Sequence, residues 1–131
     1  MTEEQKQLLI KDLCCRLPYR VKARFPDYYG GYFSAIEDID IDGYAKDFEG
    51  EQHEIDDIKP YLFPLSSMTE EQRNMLEDWD INEPMLDISG ERQIHVSLNL
   101  RIIDWLNAHH FDYRGLIEQG LAIDATGLNI Y

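Results

Sequence analysis

Positive charge is scarce in this chain. Lysine and arginine number 12 against 26 aspartates and glutamates, a net charge of -14. A field of that sign repels phosphate backbones and anionic membranes. Direct nucleic-acid binding would need a basic patch strong enough to overcome it, and the one available, residues 16–24, is short. Cysteine is nearly absent as well. Cys14 and Cys15 are adjacent within a helical pattern, which suits neither a bridge between them nor a metal-ligand spacing and fits a reducing cytoplasm. Apolar runs all fall short of the roughly 18 residues of a membrane span. The opening Thr2-Glu3-Glu4-Gln5 is acidic where a secretory leader is basic. No nucleophile elbow, phosphate-cradling glycine loop or Cys-x-x-Cys occurs, so no enzyme class is indicated and no catalytic, cofactor or metal residue is assigned. These absences lead to the expectation of a cytoplasmic, non-enzymatic protein whose partners are cationic or neutral.

What remains is ample for a core. With 131 residues, 44% hydrophobic and 11% aromatic, a single domain over 1–131 is expected. Thr2 with Gln5 has the spacing of a capping box, and Leu9, Leu13 and Leu17 recur every fourth residue, which predicts a helix over about 3–16 ended by Pro18. Tyr19, Val21, Ala23 and Phe25 then alternate with Arg20, Lys22 and Arg24, a strand with a basic outer face. After a connection at 26–31, residues 32–41 are extended and end in strict Asp-Ile alternation, with Ile39 and Ile41 expected inward. Asp42-Gly43 marks a two-residue hairpin turn, residues 44–48 the return strand, 49–51 another turn, and 53–58 a further short strand with Ile55 inward. Pro60 and Pro64 bracket Tyr-Leu-Phe, which reads as a packed connector because proline has no amide to give a central strand.

Thr69 and Gln72 repeat the capping-box spacing ahead of Met75, Leu76 and Trp79, a second helix. Residues 80–90 read as loop. The run 93–102 divides into a short strand to about 96 and a helix over about 98–108, capped by Ser97 or Asn99. One more short helix at 114–119 stops at Gly120, and the tail to Tyr131 reads as extended or irregular. The sum is an α+β fold: a small antiparallel sheet with its hairpin at Asp42-Gly43, packed with three to four helices.

Two stretches, Lys59-Pro-Tyr-Leu-Phe-Pro-Leu-Ser-Ser-Met-Thr-Glu-Glu-Gln72 and Trp105-Leu-Asn-Ala-His-His-Phe-Asp-Tyr-Arg-Gly-Leu-Ile117, the latter running on to Ala122, carry a resemblance. They resemble a family of small uncharacterised proteins of gut bacteria and their phages, over about half of the chain. The resemblance implies an intracellular protein of phage or mobile-element origin. It implies no activity and no site residue, and it does not extend to residues 27–50.

Two places invite chemistry. Asp38, Asp40, Asp42, Gly43 and Glu49 occupy positions one, three, five, six and twelve of an EF-hand calcium loop, with the Tyr44 carbonyl at seven. The flanks argue against it, because Gly30, Gly31 and Gly50 disfavour the two helices such a loop joins and Ala45 is small for the eighth position. The hairpin is therefore the expectation, with a calcium site the alternative. In the hairpin, Asp38, Asp40 and Asp42 share one face about 6.5–7 Å apart, near the phosphate spacing of a DNA strand, so a DNA-mimic inhibitor is a further alternative. The same period in Arg20, Lys22 and Arg24 predicts that these bases lie across from the acids. His109, His110 and Asp112 suggest a metal or acid-base site, but adjacent helical residues point about 100° apart, and histidine at a helix end is commonly there for capping. His53 and His95 have no spacing partners. Residues 37–57 hold ten acids and one base, Lys46, so a basic protein surface is the expected partner of this acidic sheet.

Overall fold

The computed structural model describes residues 1–27, 30–79 and 100–131. It mixes helix and sheet in the order α1 (Glu3–Arg16), β1 (Lys22–Phe25), β2 (Tyr32–Ala35), β3 (Asp38–Asp40), β4 (Tyr44–Lys46), β5 (Gln52–Glu54), β6 (Lys59–Pro64), α2 (Glu70–Trp79), α3 (Leu100–Ala108), β7 (Phe111–Asp112) and β8 (Ile123–Asp124). The loop expected at 80–90, the strand to about 96, the caps Ser97 and Asn99, and His95 lie outside the described residues. No described helix is long and apolar enough to cross a membrane.

Local chemistry starts the first two helices. The Thr2 hydroxyl accepts from the Gln5 amide at 3.1 Å while the Gln5 side chain accepts from the Thr2 amide at 3.0 Å. Thr69 and Gln72 make the same reciprocal pair at 3.1 and 2.9 Å. Each box satisfies two amides that the first helical turn leaves without partners. Leu9, Ile10 and Leu13 bury one side of α1, and Leu76, with Met75 and Trp79 beside it, does so for α2. Past α1, Pro18 sits in a single 3-10 turn and Arg20 takes a left-handed φ of 58°, which turns the chain into β1.

The larger sheet runs β2-β1-β6-β7, with β8 also on β6. Ala23 and Phe25 of β1, and Val21 just before it, are fully buried. β6 is the central strand, which overturns the connector expected at Pro60 and Pro64. It lies antiparallel to β1 and parallel to both β7 and β8. The Leu62 carbonyl accepts from Ala125 at 2.8 Å and the Phe63 amide donates to His110 at 2.8 Å. Those two groups belong to one trans peptide unit and so point to opposite edges. The prolines are tolerated because they stand near the two ends of the strand, and Phe63, which lies between them, has the amide that makes the bond.

The smaller sheet is antiparallel, β3-β4-β5. Asp38 faces Lys46, Ile39 faces Ala45 and Asp40 faces Tyr44. Three residues, 41–43, therefore span the hairpin where a two-residue turn was expected. The Asp40 carboxylate takes the Asp42 amide at 2.9 Å, the Asp40 carbonyl takes the Gly43 amide at 2.9 Å, and Gly43 supplies the φ of +99° that closes the loop. The longer loop leaves Ile41 at the tip, 87% exposed and outside the core it was expected to join. Ile39 packs against that core and Ala45 is fully buried within it.

The bases of β1 do not face the acids of β3, which corrects that expectation. β1 has β2 and β6 as neighbours, and β3 belongs to the other sheet. The Lys22 ammonium donates to the Ile130 carbonyl at 2.8 Å and the Arg24 guanidinium to the Gly30 carbonyl at 2.7 Å. Cross-strand charge pairs contribute only about 0.2–1 kcal/mol each, too little to choose a strand's neighbours against the burial of Val21, Ala23 and Phe25. The helix expected at 114–119 is likewise replaced by one hydrogen-bonded turn. The Asp112 carboxylate accepts from the Leu116 and Ile117 amides at 2.9 Å each, and the Leu121 amide closes on the Leu116 carbonyl at 2.9 Å. Gly120, at φ +74°, ends it.

α1 joins the later part of the chain through a buried ion network. Asp12 and Arg16, both 0% exposed, meet at 2.7 Å, and Arg114 reaches Asp12 at 3.1 Å. Arg16 also donates to the Phe111 carbonyl at 2.7 Å. Tyr113 packs against both guanidinium groups and donates its hydroxyl to Asn107 at 2.9 Å.

Candidate functional site

The acidic hairpin offers an open face. Asp38 and Asp40 are exposed at alternate positions of β3, and Asp42 sits in the loop beyond them. With Ile39, Ile41, Tyr44, Lys46 and Gln52, Asp38 and Asp40 line a shallow concavity of about 270 Å³. The loop rests on α1, where a Cβ at Gly43 would come within 2.8 Å of Lys6. The exposed side chains of Ile41 and Tyr44 share this lining with Asp38 and Asp40, so apolar anchors and charge lie together. The EF-hand positions Asp38, Asp40, Asp42 and Glu49 are spread over this hairpin and the loop after it, with the strands β2 and β5 where the flanking helices would stand. Asp38 and Asp40 spend an oxygen each on the nearby amides of Ile39 and Asp42, both at 2.9 Å.

A second cluster joins the two sheets and was not legible as a site in the sequence. Asp47, just past β4, is almost fully buried and its carboxylate organises the loop 47–51. One oxygen accepts from the Glu49 amide at 2.9 Å and the Glu51 amide at 3.0 Å. The other accepts the Tyr32 hydroxyl of β2 and lies 3.4 Å from His53 Nε2 of β5. Tyr32 and His53 are themselves 3.1 Å apart. Alternation in β5 carries His53 inward between exposed Gln52 and Glu54, where its ring meets Phe25 at a centroid distance of 4.9 Å. Phe48 donates its amide to the Ser34 hydroxyl at 3.1 Å, a second tie from the loop to β2. Burial pushes the Asp47 carboxyl up, but the hydrogen bonds from Tyr32, the Glu51 and Glu49 amides and His53 outweigh it and hold its pKa below the usual carboxylate value. Burial and the bond to Asp47 push the Tyr32 phenol above the ordinary tyrosine range. The cluster thus holds an ionised carboxylate beside a protonated phenol. Its one sequence signal is the spacing Asp47, Glu51, His53 across a turn.

His109, His110 and Asp112 do not converge. His109 donates Nδ1 to the Trp105 carbonyl at 2.9 Å and stacks on that indole at 4.1 Å between centroids. His110, at a left-handed φ of 63°, stacks on Tyr131 at 3.6 Å. Burial first, then Arg16, His109 and Lys22, lower its pKa to about 4. Asp112 is engaged by the amides of the following turn. Burial also pushes the Tyr131 phenol up to about 12, and its hydroxyl donates to the Tyr61 carbonyl at 2.7 Å and accepts from the Lys22 amide at 2.9 Å. Cys14 and Cys15 are both free and exposed.

No family model matches the chain, and neither the curated proteins nor the solved structures searched contain a match.

Proposed function

We propose that the chain is a non-enzymatic interaction protein of the cytoplasm that binds a basic protein surface through the acidic hairpin of β3 and β4. One observation carries this reading: Asp38 and Asp40 flank a shallow concavity of about 270 Å³ beside exposed Ile41 and Tyr44. Charge of this density speeds the approach of a cationic partner and rejects anionic ones, while buried aromatic and aliphatic anchors supply most of the affinity of protein interfaces. The net charge of -14 and the ten acids within 37–57 point the same way. The strand row is only two acids long, with Asp42 displaced into the loop, and this favours a protein partner over mimicry of a DNA strand. The resemblance to small proteins of gut bacteria and their phages makes an accessory role for a mobile element part of the proposal.

The test compares the wild-type chain with an Asp38→Asn, Asp40→Asn, Asp42→Asn variant as bait in lysate at moderate salt. The reading expects a basic protein held by the wild type, released by salt and not held by the variant. Identical captures by both baits, or none by either, would sink it.

A further inference from the structure

We propose that Asp47, Glu51 and His53 form a binding site for a divalent transition-metal ion of the zinc type. One ligand atom from each of the three lies within 4.8 Å of the others. Zinc bonds to nitrogen and oxygen run about 2.0–2.2 Å, so its ligand atoms sit roughly 3.3 Å from one another. His53 Nε2 and the nearer Asp47 oxygen are already at that separation, 3.4 Å. Glu51 is exposed and free to swing in, which leaves the entry on the solvent side.

The rest of the cluster has the form of a support for such a centre. The Glu49 and Glu51 amides hold one Asp47 oxygen at 2.9 and 3.0 Å, fixing the carboxylate so that its other oxygen faces His53. That oxygen has two lone pairs. It keeps the Tyr32 hydroxyl on one and offers the second to an ion, the arrangement in which an outer hydrogen bond orients a metal-bound carboxylate. The ion takes the place of the hydrogen bond between His53 Nε2 and Asp47, and the neutral imidazole carries its one N–H on Nδ1 when Nε2 binds the ion. Two carboxylates balance the charge of a divalent cation. An imidazole nitrogen in the set selects zinc, cobalt or nickel over calcium and magnesium, which prefer oxygen alone. Three protein ligands leave the fourth tetrahedral position to water.

The site lies apart from the acidic hairpin face and stands or falls independently of it. Metal-free full-length chain is titrated with zinc by calorimetry and with cobalt by visible absorption. The expected result is one ion per chain and tetrahedral cobalt bands. Even an outer partner of a metal is worth about 10–100-fold in affinity, so His53→Gln and Glu51→Gln should each weaken binding by at least about that much. Glu51→Gln changes an exposed side chain and keeps the test decisive even if His53→Gln perturbs folding. Double replacement of Cys14 and Cys15 by serine, His109→Gln, and the Asp38, Asp40, Asp42 variant should all bind as the wild type does. Absence of saturable zinc binding overturns the proposal. So does affinity that survives both His53→Gln and Glu51→Gln, or that is lost with the cysteines or His109.

Discussion

Asp12 ties α1 to the later part of the chain. Fully buried, it receives Arg16 from its own helix and Arg114 from the far end of the chain. Removing one member of a buried ion network leaves the others uncompensated, which costs about 3–5 kcal/mol, whereas apolar replacement of a pair is often close to neutral. Asp12→Ala should therefore lower the urea unfolding free energy by about 3–5 kcal/mol. The double change Asp12→Leu with Arg16→Met should cost less than that single one, and a larger cost for the double would contradict this account. His110 governs a pH effect. Its pKa falls from 6.5 in the unfolded chain to about 4 in the folded one, so between those values the unfolded chain binds more protons. The stability it contributes is complete above pH 6.5 and is lost as pH drops toward 4. Asn tolerates the left-handed backbone of this position and does not titrate. The gap between urea midpoints at neutral and mildly acidic pH should be smaller in His110→Asn than in the wild type.

Among the elements, the turn at 116–120 hangs on Asp112, which satisfies two amides at once. Asp112→Ala should cost about 1–3 kcal/mol, the penalty for leaving a buried donor unpaired, with faster amide exchange at Leu116 and Ile117 as the local readout. The expected helix there stays a single turn because Gly120, at a left-handed φ of +74°, ends it before a second turn can form. α1 and α2 were legible because capping boxes and apolar spacing are local. β6 was not, because the absence of an amide at Pro60 and Pro64 was extended to a whole strand whose necessary donor is Phe63. The site at Asp47 escaped for another reason: Tyr32 lies 15 residues away from it, and only the packing of two sheets brings them together. The acidic hairpin was readable from its alternation, yet its loop length was not. The Asp38 carboxylate also takes the amide of Ile39 at 2.9 Å, and a charged side chain occupying an edge amide discourages other strands from adding there.

At the scale of the whole molecule, the -14 charge acts on the folded state as self-repulsion, concentrated where ten acids fall within 37–57. Salt shortens the reach of that repulsion to about 10 Å at 0.1 M and leaves buried pairs such as Asp12 with Arg16 largely unaffected. The melting temperature should accordingly rise as sodium chloride is raised from very low concentration to the physiological range, and a fall would mean that exposed attractions dominate. The central place of β6 bears on the order of assembly. β1 precedes it in the chain, but the strands that pair Tyr61 with Ile123 and Phe63 with Phe111 are made much later. On the ribosome, β6 therefore waits with unsatisfied backbone groups until some sixty further residues have emerged, the circumstance in which nascent chains stick to one another. Pro60 and Pro64 shorten the row of amides exposed during that interval, so the two residues with no amide to give a sheet guard this segment while the sheet is incomplete.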